Sequence, residues 1–452
     1  MESVWRKYLD VPRNGTQNKS KELGNGAQLD TVVVGGGIAG IMCAYMLSKS
    51  GHRVTLIEAH KILEGVTSGT TAKLTALQGN YQNIPTAKKR RMYYQSQIEA
   101  VEGIASLGID CDFKRVDSFV YGERKQIKKE YKAMRKFATV EYFENEKLPF
   151  GVYDCIKLEN QAQFNPIKFC YGLLGRFDVI EDCRIKKVSL LRKQLKTEDK
   201  IFKYNRLVIA TGFPIVNIRG LYSFKMFKSS SYAVCVKAEQ KVGALFNAIA
   251  DDGLMYRDCE DGVIVDGFGH RTGKWKGCDY FEKLRLEGRK FGGGVGIATS
   301  PTAPRNDMAW AANDCMTFDS VPYAGRLLRL FARDVYVISG FGKWGMANSY
   351  ASAKIVDDLV NKRKNRYRRL FKPTRVLNVM VWPKVFWNFL QDGWGLVAGL
   401  FSSSKRRCPH MGCRLKFNPN TKTYDCPCHG SRFTDKGDII VSPAVDGLTT
   451  SP

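Results

Sequence analysis

Histidine is scarce in this chain, with five among 452 residues. Acidic side chains are short as well: 44 Asp and Glu face 71 Lys and Arg, a formal charge of +27. No run approaches the ~18 consecutive apolar residues that a membrane-spanning helix requires, so no such span is expected. Residues 1–29 lack a charged-then-apolar leader and read as a polar extension, which makes the expected compartment cytoplasmic. There the 13 cysteines are expected to be buried thiols or metal ligands rather than a disulfide framework. No internal repeat is present.

The excess of positive charge suits anionic partners, although much of it is a solvated lysine-rich surface. One run concentrates it. "NKRKNRYRRLFKPTR", residues 361–375, has eight basic side chains and no acidic one. It fits peripheral contact with an anionic surface, and a membrane periphery stays open as a location. A nucleic-acid partner is not expected. The next segment, "VLNVMVWPKVFWNFLQDGWGLVAGLF", is rich in Trp and Phe but is broken by Pro383, Lys384, Asp392 and three glycines. It reads either as a membrane-interface segment or, preferred here, as a linker packed on the main body. Residues 361–401 are therefore taken as a basic and aromatic connector between a body at 30–360 and a small tail at 402–452.

The body opens with "TVVVGGGIAGIMCAYMLSKSGHRVTLIEA": an apolar run, a glycine turn, a helical stretch and a second apolar run. Gly35, Gly37 and Gly40 fit GxGxxG. The first allows a tight turn, the second a close approach of backbone to pyrophosphate, and the third close packing of helix on strand. Glu58, 18 residues past Gly40, can accept hydrogen bonds from ribose hydroxyls. Strand, glycine turn, helix and acid in this order point to a dinucleotide.

Two later segments narrow the choice of dinucleotide. "RLVIATGFP" (206–214) is a strand ending in Ala210-Thr211-Gly212, and "DVYVISGFGKWGMANSYASAKIVDDLV" (334–360) is a strand that breaks at Gly340, Gly342 and Gly345 before a helix. With "GVTSGTTAKLTALQG" (65–79) and "DSVPYAGR" (319–326), this order resembles the FAD-dependent oxidoreductases of the D-amino-acid-oxidase and glycine-oxidase type. The resemblance implies an α/β FAD-binding Rossmann-like domain of the glutathione-reductase type, interleaved with a mixed-sheet substrate domain over residues 30–360. It also implies FAD contacts from Ser68, Thr71, Lys73, Ala210, Thr211, Gly212, Gly340, Gly342, Gly345 and Met346, besides the first glycines and Glu58.

One departure bears on the small-molecule substrate. Where those enzymes place an arginine for a substrate carboxylate, this chain reads "WAANDCMTFDSVP", with Asn313 and Asp314. An aspartate suits a cation or a hydroxyl, so an amine is expected rather than a simple α-amino acid, unless Asp314 only caps a turn. His270, in "DGFGHRTGK", is a second candidate catalytic group because histidine titrates near neutrality. A hydrogen-bonded turn residue is the plainer reading.

The tail holds "CPHMGC" (408–413) and "YDCPCHGSRF" (424–433). Cys408, His410, Cys426 and His429 fit C-x-H-x15-C-x-x-H, a set that can hold a [2Fe–2S] cluster with two cysteines on one iron and two histidines on the other. Zinc also accepts two cysteines and two histidines, though finger ligand pairs are usually two to five residues apart. With Cys413 and Cys428 included, the pattern resembles the Rieske domains of respiratory complexes. By that resemblance Cys408, His410, Cys426 and His429 are the ligands, and Cys413 and Cys428 form a disulfide. Rieske domains carry several strands before the first ligand loop. Here the loop follows the connector directly, so the small all-β domain looks abbreviated.

Histidine-ligated clusters sit at about −150 to +300 mV, above plant-type ferredoxins at about −400 mV. Electrons from a reduced flavin then run toward the cluster. The expected protein is a dehydrogenase that passes electrons singly to an external acceptor, a protein or a quinone. A redox sensor or carrier docking on an anionic surface is the competing class, and a flavoprotein with structural zinc is another. A Rieske oxygenase needs a further iron on two histidines and a carboxylate, and of the three histidines outside the tail two, His52 and His60, flank a strand of the nucleotide motif.

Overall fold

The computed structural model describes residues 2–9, 23–216, 220–260, 262–292, 308–328, 332–402 and 407–448. In the first sheet β1 (Gln28–Val34), β2 (Val54–Ile57) and β3 (Ile201–Ile209) run parallel, with Val32 level with Thr55 on one side and Leu207 on the other. The strand order is Tyr323–Arg326, Val335–Ser339, β3, β1, β2, Asp178–Ile180. These strands are nearly continuous apolar runs because both faces are covered; Val32, Val33, Leu207, Val208 and Ile209 are wholly buried. Helix α1 (Ile38–Lys49) packs against α2 (Gly345–Val360) on one face. The C-terminal ends of β1 and β3 thus meet at one edge, where open α/β sheets receive ligands.

The second sheet is mixed and has nine strands. At one side β4 (Met226–Val236) lies antiparallel between β5 (Gly262–Arg271) and β6 (Met308–Thr317). Its register sets Ser229 between Arg271 and Asp314, and Ser230 between His270 and Asn313. Segments 73–74, 114–122 and 141–163 join the same sheet. The chain therefore alternates between the two sheets, which is the interleaving expected from the sequence.

The N-terminal segment is less polar in the fold than it reads in the sequence. Ser3, Val4 and Trp5 are buried. The Trp5 indole N–H donates to Thr70 O at 2.7 Å, and the Arg257 guanidinium lies 5.4 Å from its ring.

Residues 361–401 divide in two. The basic run is tied down: Arg363 pairs with Asp357 at 3.1 Å, Arg366 pairs with Glu99, and Arg375 grips Asp319 through both carboxylate oxygens at 2.7 and 2.8 Å. Beyond it, Trp382–Leu400 forms a helix, α3. The tail folds into four short antiparallel strands, Lys416–Asn418, Thr423–Asp425, Arg432–Phe433 and Ile439–Val441. All four follow the first Cys/His loop. Among the described residues, the element that precedes that loop is α3 and not a strand.

Candidate functional site

The glycine turn after β1 is shaped by backbone contacts. Gly35 has φ +115°, and a Cβ there would lie 2.4 Å from Ala210 O. A Cβ at Gly40 would lie 1.8 Å from Gly35 O. Gly37, the N-cap of α1, brings no side chain to the first turn; Ile38 N donates to Thr67 Oγ1 at 3.0 Å, and the positive end of the helix faces the glycine turn, where it favours an anionic ligand. Glu58, just past β2, accepts a hydrogen bond from Gly36 N at 2.6 Å and another from His60 N at 3.1 Å. Thr211 and Gly212 continue from β3, with Gly212 O accepting from the Ser339 hydroxyl. Gly340 and Gly342 turn with φ +78° and +57° into α2, where Met346 is buried. Ser68 bonds back to Gly65 O, and Thr71 O accepts from Arg257. A helix N-terminus with no side chain at its cap, a bare glycine turn and a carboxylate at the end of the next strand fit a bound FAD.

Beside this cradle lies a small cavity lined by Thr71, Lys73, Tyr232, Asp266, Asp314 and Lys343, among others. Lys73, expected among the cofactor contacts, stands on this wall with its ammonium 2.9 Å from Asp266. Burial lowers its pKa, and Asp266 opposes the shift. Asp314 projects from β6, where burial pushes its carboxyl up to about 6, with Lys343 drawing it down and Asp266 adding to the rise. His270 is outside the lining. Its ring packs beside the stacked pair Tyr232 and Tyr280, at 5.7 and 5.4 Å from their centroids, and Nδ1 is 3.0 Å from Phe268 O. Asp266 and Lys343 were not singled out from the sequence. Asp266 sits in the alternating run "GVIVDGFGHR", where a lone acid on a buried strand is the signal available.

The two tail loops share one backbone design. Cys408 N donates to Cys413 O at 2.9 Å and Gly412 N to Cys408 O at 2.8 Å; Cys426 N donates to Ser431 O at 2.8 Å and Gly430 N to Cys426 O at 2.9 Å. Gly412 and Gly430 both take positive φ, +85° and +73°, which favours glycine at the fifth place of each loop. The loops face each other. The imidazoles of His410 and His429 lie 5.1 Å apart and nearly perpendicular. The Cys408 and Cys426 thiols are hydrogen-bonded, which lowers Cys408 and raises Cys426. Cys413 and Cys428 form a disulfide between the loops, with Cα atoms 6.7 Å apart.

Burial brings His410 down to about 4 and His429 to about 3, so both rings are neutral. The Nδ1 atom of His429 is buried without a hydrogen-bond partner. An orphaned imidazole nitrogen, with two buried thiols and a second imidazole beside it, fits a cluster with mixed Cys and His ligation.

The small domain seats directly on the body. The ring of His429 is 6.1 Å from that of Phe213, which follows Thr211 and Gly212. The Ser442 hydroxyl donates to Thr211 O at 3.1 Å, and Asn418 Nδ2 donates to the Tyr232 hydroxyl at 2.9 Å. Lys228 on β4 is buried beneath Gly430 and donates to Ser442 O. Helix α3 backs both loops: a Cβ at Gly395 would lie 2.6 Å from Cys428 Sγ, and one at Gly399 would lie 2.0 Å from Gly412 O.

Comparison with known proteins gives two family matches, FAD dependent oxidoreductase over residues 30–359 and Rieske [2Fe-2S] domain over residues 379–452. The Bacillus subtilis (strain 168) protein YhfW, which bears the name of a Rieske 2Fe-2S iron-sulfur protein, is 27% identical over 510 residues, covering 99% of this chain and 97% of its own. Glycine oxidase from Geobacillus kaustophilus superposes with a TM-score of 0.64 at 16% identity, over 78% of this chain and 100% of its own. L-Proline dehydrogenase from P. horikoshii superposes with a TM-score of 0.62 at 19% identity, over 77% and 98%. Those two likenesses concern the fold.

Proposed function

The chain belongs to the FAD dependent oxidoreductase family and carries a Rieske [2Fe-2S] domain, and from that premise we propose that it is a dehydrogenase. It oxidises a small substrate, an amine or a hydroxyl compound, and passes electrons singly through the cluster to an external protein or quinone. The observation that carries this reading is the seating of His429 against Phe213, at the strand end that closes on Gly35. When bound, FAD takes electrons in pairs and the cluster handles them one at a time.

The chain's own groups have separable tasks. Gly35, Gly37, Gly40 and Glu58 hold the dinucleotide, and Cys408, His410, Cys426 and His429 hold the iron. In the cavity the Asp314 carboxylate accepts a proton or hydrogen bond from a substrate nitrogen or oxygen, while Lys73 stays engaged with Asp266. Tyr232 closes the cavity wall and anchors Asn418. Phe213 keeps water from the space beside His429.

The test is anaerobic. Iron and flavin are assayed in the purified protein, and the cluster is followed by low-temperature EPR while the flavin is reduced photochemically. Iron with FAD, and a cluster signal that grows as the flavin bleaches and vanishes in Cys426→Ser, is expected. Zinc in place of iron, or a cluster that stays oxidised beside reduced flavin, overturns the proposal. Bleaching by a panel of amines and alcohols, but not by free α-amino acids, tests the substrate class.

A further inference from the structure

Helix α3 is amphipathic in the reverse sense from a helix of a soluble body. Its buried stripe is Val385, Asn388, Asp392, Gly395 and Gly399, spaced by three and four residues. This inward stripe is largely polar or bare. Asn388 and Asp392 bond to Arg271, and the glycines admit the cluster loops. The outward side carries the large apolar groups. Trp382, Phe386, Trp387, Trp394, Leu400 and the following Phe401 are exposed, from 53% at Trp382 to 88% at Phe401. The patch continues onto the body, where exposed Phe224 lies with its ring 5.9 Å from that of Phe389. Contiguous apolar surface of this kind marks a docking face.

Charge and composition identify what docks there. The helix cannot cross a bilayer: among the described residues no helix is long and apolar enough to do so. The run that leads into the helix keeps Lys364, Arg368, Arg369 and Lys372 exposed, and Lys384 is exposed on the helix itself. The sole acid of residues 361–401 is Asp392, which is buried on Arg271. Three exposed tryptophans on the outer side of the helix, set among phenylalanines, with Lys384 on the helix and no exposed carboxylate of its own, match the demands of the headgroup region. There an indole buries its ring and keeps its N–H wet, and Lys and Arg meet lipid phosphate. A protein partner would be expected to find some complementary polar or acidic group on this face. We propose that the outer face of α3, with Phe401 and Phe224, is a docking surface for anionic phospholipid bilayers. The helix lies in the plane of the interface, with its aromatic side sunk about 5–10 Å and its glycine side holding the cluster loops. Docking of this kind does not depend on where electrons leave the protein.

The test uses the full-length holoprotein and vesicle flotation. Phosphatidylcholine vesicles are compared with phosphatidylcholine–phosphatidylglycerol vesicles at low and high salt. Binding to the anionic vesicles, weakened by salt, is expected. Trp387→Ser/Trp394→Ser should lower the partition coefficient by about tenfold or more, because both side chains bury their area only in lipid. Both are exposed, so FAD absorbance and iron content should be unchanged and report an intact fold. Lys372→Gln/Lys384→Gln should flatten the salt dependence. No flotation with either vesicle overturns the proposal. So does flotation that ignores the tryptophan substitutions, and so does equal binding to neutral and anionic vesicles. A dimer in sedimentation that the double tryptophan variant dissolves, without flotation of the wild type, also overturns it and assigns the face to a second copy.

Discussion

Arg271 on β5 and Asp392 on α3 form an ion pair at 2.6 Å, with side chains only 14% and 12% exposed. The same guanidinium donates to Asn388 at 2.5 Å, Pro427 O at 3.0 Å and Cys428 O at 2.9 Å. One side chain from the substrate sheet thus joins α3 to the second ligand loop. Removing one partner of a buried pair strands the other charge, at a cost of roughly 3–5 kcal/mol. Arg271→Ala is expected to lower the melting temperature and to release iron while FAD is retained. Arg271→Lys should rescue only in part, because an ammonium cannot reproduce the fork. Iron and flavin content of the purified variants, with thermal melts, checks both.

The glycines of α3 are predicted to differ sharply from one another. A methyl at Gly395 would meet Cys428 Sγ at 2.6 Å, and one at Gly399 would meet Gly412 O at 2.0 Å. Overpacking of this kind costs typically about 1–3 kcal/mol. Gly395→Ala and Gly399→Ala should therefore loosen the cluster loops and speed iron loss in chelator. A Cβ at Gly393 would have nothing within 4 Å of it, so Gly393→Ala should stabilise the helix by up to about 1 kcal/mol. Opposite signs within one helix are the expected result of a chelation time course and thermal melts.

Both cofactor-bearing families were legible because their chemistry is local in sequence. A pyrophosphate needs glycine at three places within six residues, and a mixed Cys/His cluster needs its ligands on two short loops. The cavity was not legible in the same way. Asp314 came from a departure at one position, but Lys73, Asp266 and Lys343 converge from three separate segments of the chain, the first two through strands of the second sheet. The basic run was legible only in part for the same reason: composition shows Arg375 but not its partner Asp319, which lies 56 residues away. Helix α3 was hidden by its reversed polarity. With its apolar residues outside and its glycines inside, it reads as a linker until the loops it supports are in place.

Glu58 is predicted to be needed for FAD and dispensable for iron. Its carboxylate sits 2.6 Å from Gly36 N, beside the place where a ribose would lie. Hydrogen bonds to a charged group contribute about 1.5–3 kcal/mol, so Glu58→Ala should weaken FAD binding by roughly ten- to a hundredfold. Fluorimetric titration of apoprotein with FAD measures this. Unchanged iron content in the same variant separates the cradle from the cluster domain.

Asp314 gives a prediction in which activity and stability move oppositely with pH. Burial raises its carboxyl from 3.8 to about 6, so the ionised form prevails only above that. If the carboxylate receives the substrate proton, kcat/KM climbs with pH to about 6 and then levels off. Asp314→Asn should abolish that limb and lower kcat by roughly 10²–10⁴. The folded state also holds this proton more tightly than the unfolded chain. Its contribution to stability is therefore full below about pH 4, falls between about 4 and 6, and is lost above about 6. Asparagine stays neutral throughout. Asp314→Asn should then melt above the wild type on the alkaline side of this window and match it on the acid side, while remaining the slower enzyme above about pH 6. Paired pH–rate and pH–melting profiles of the two proteins decide it, and a variant that loses stability and activity in parallel assigns Asp314 to the scaffold instead.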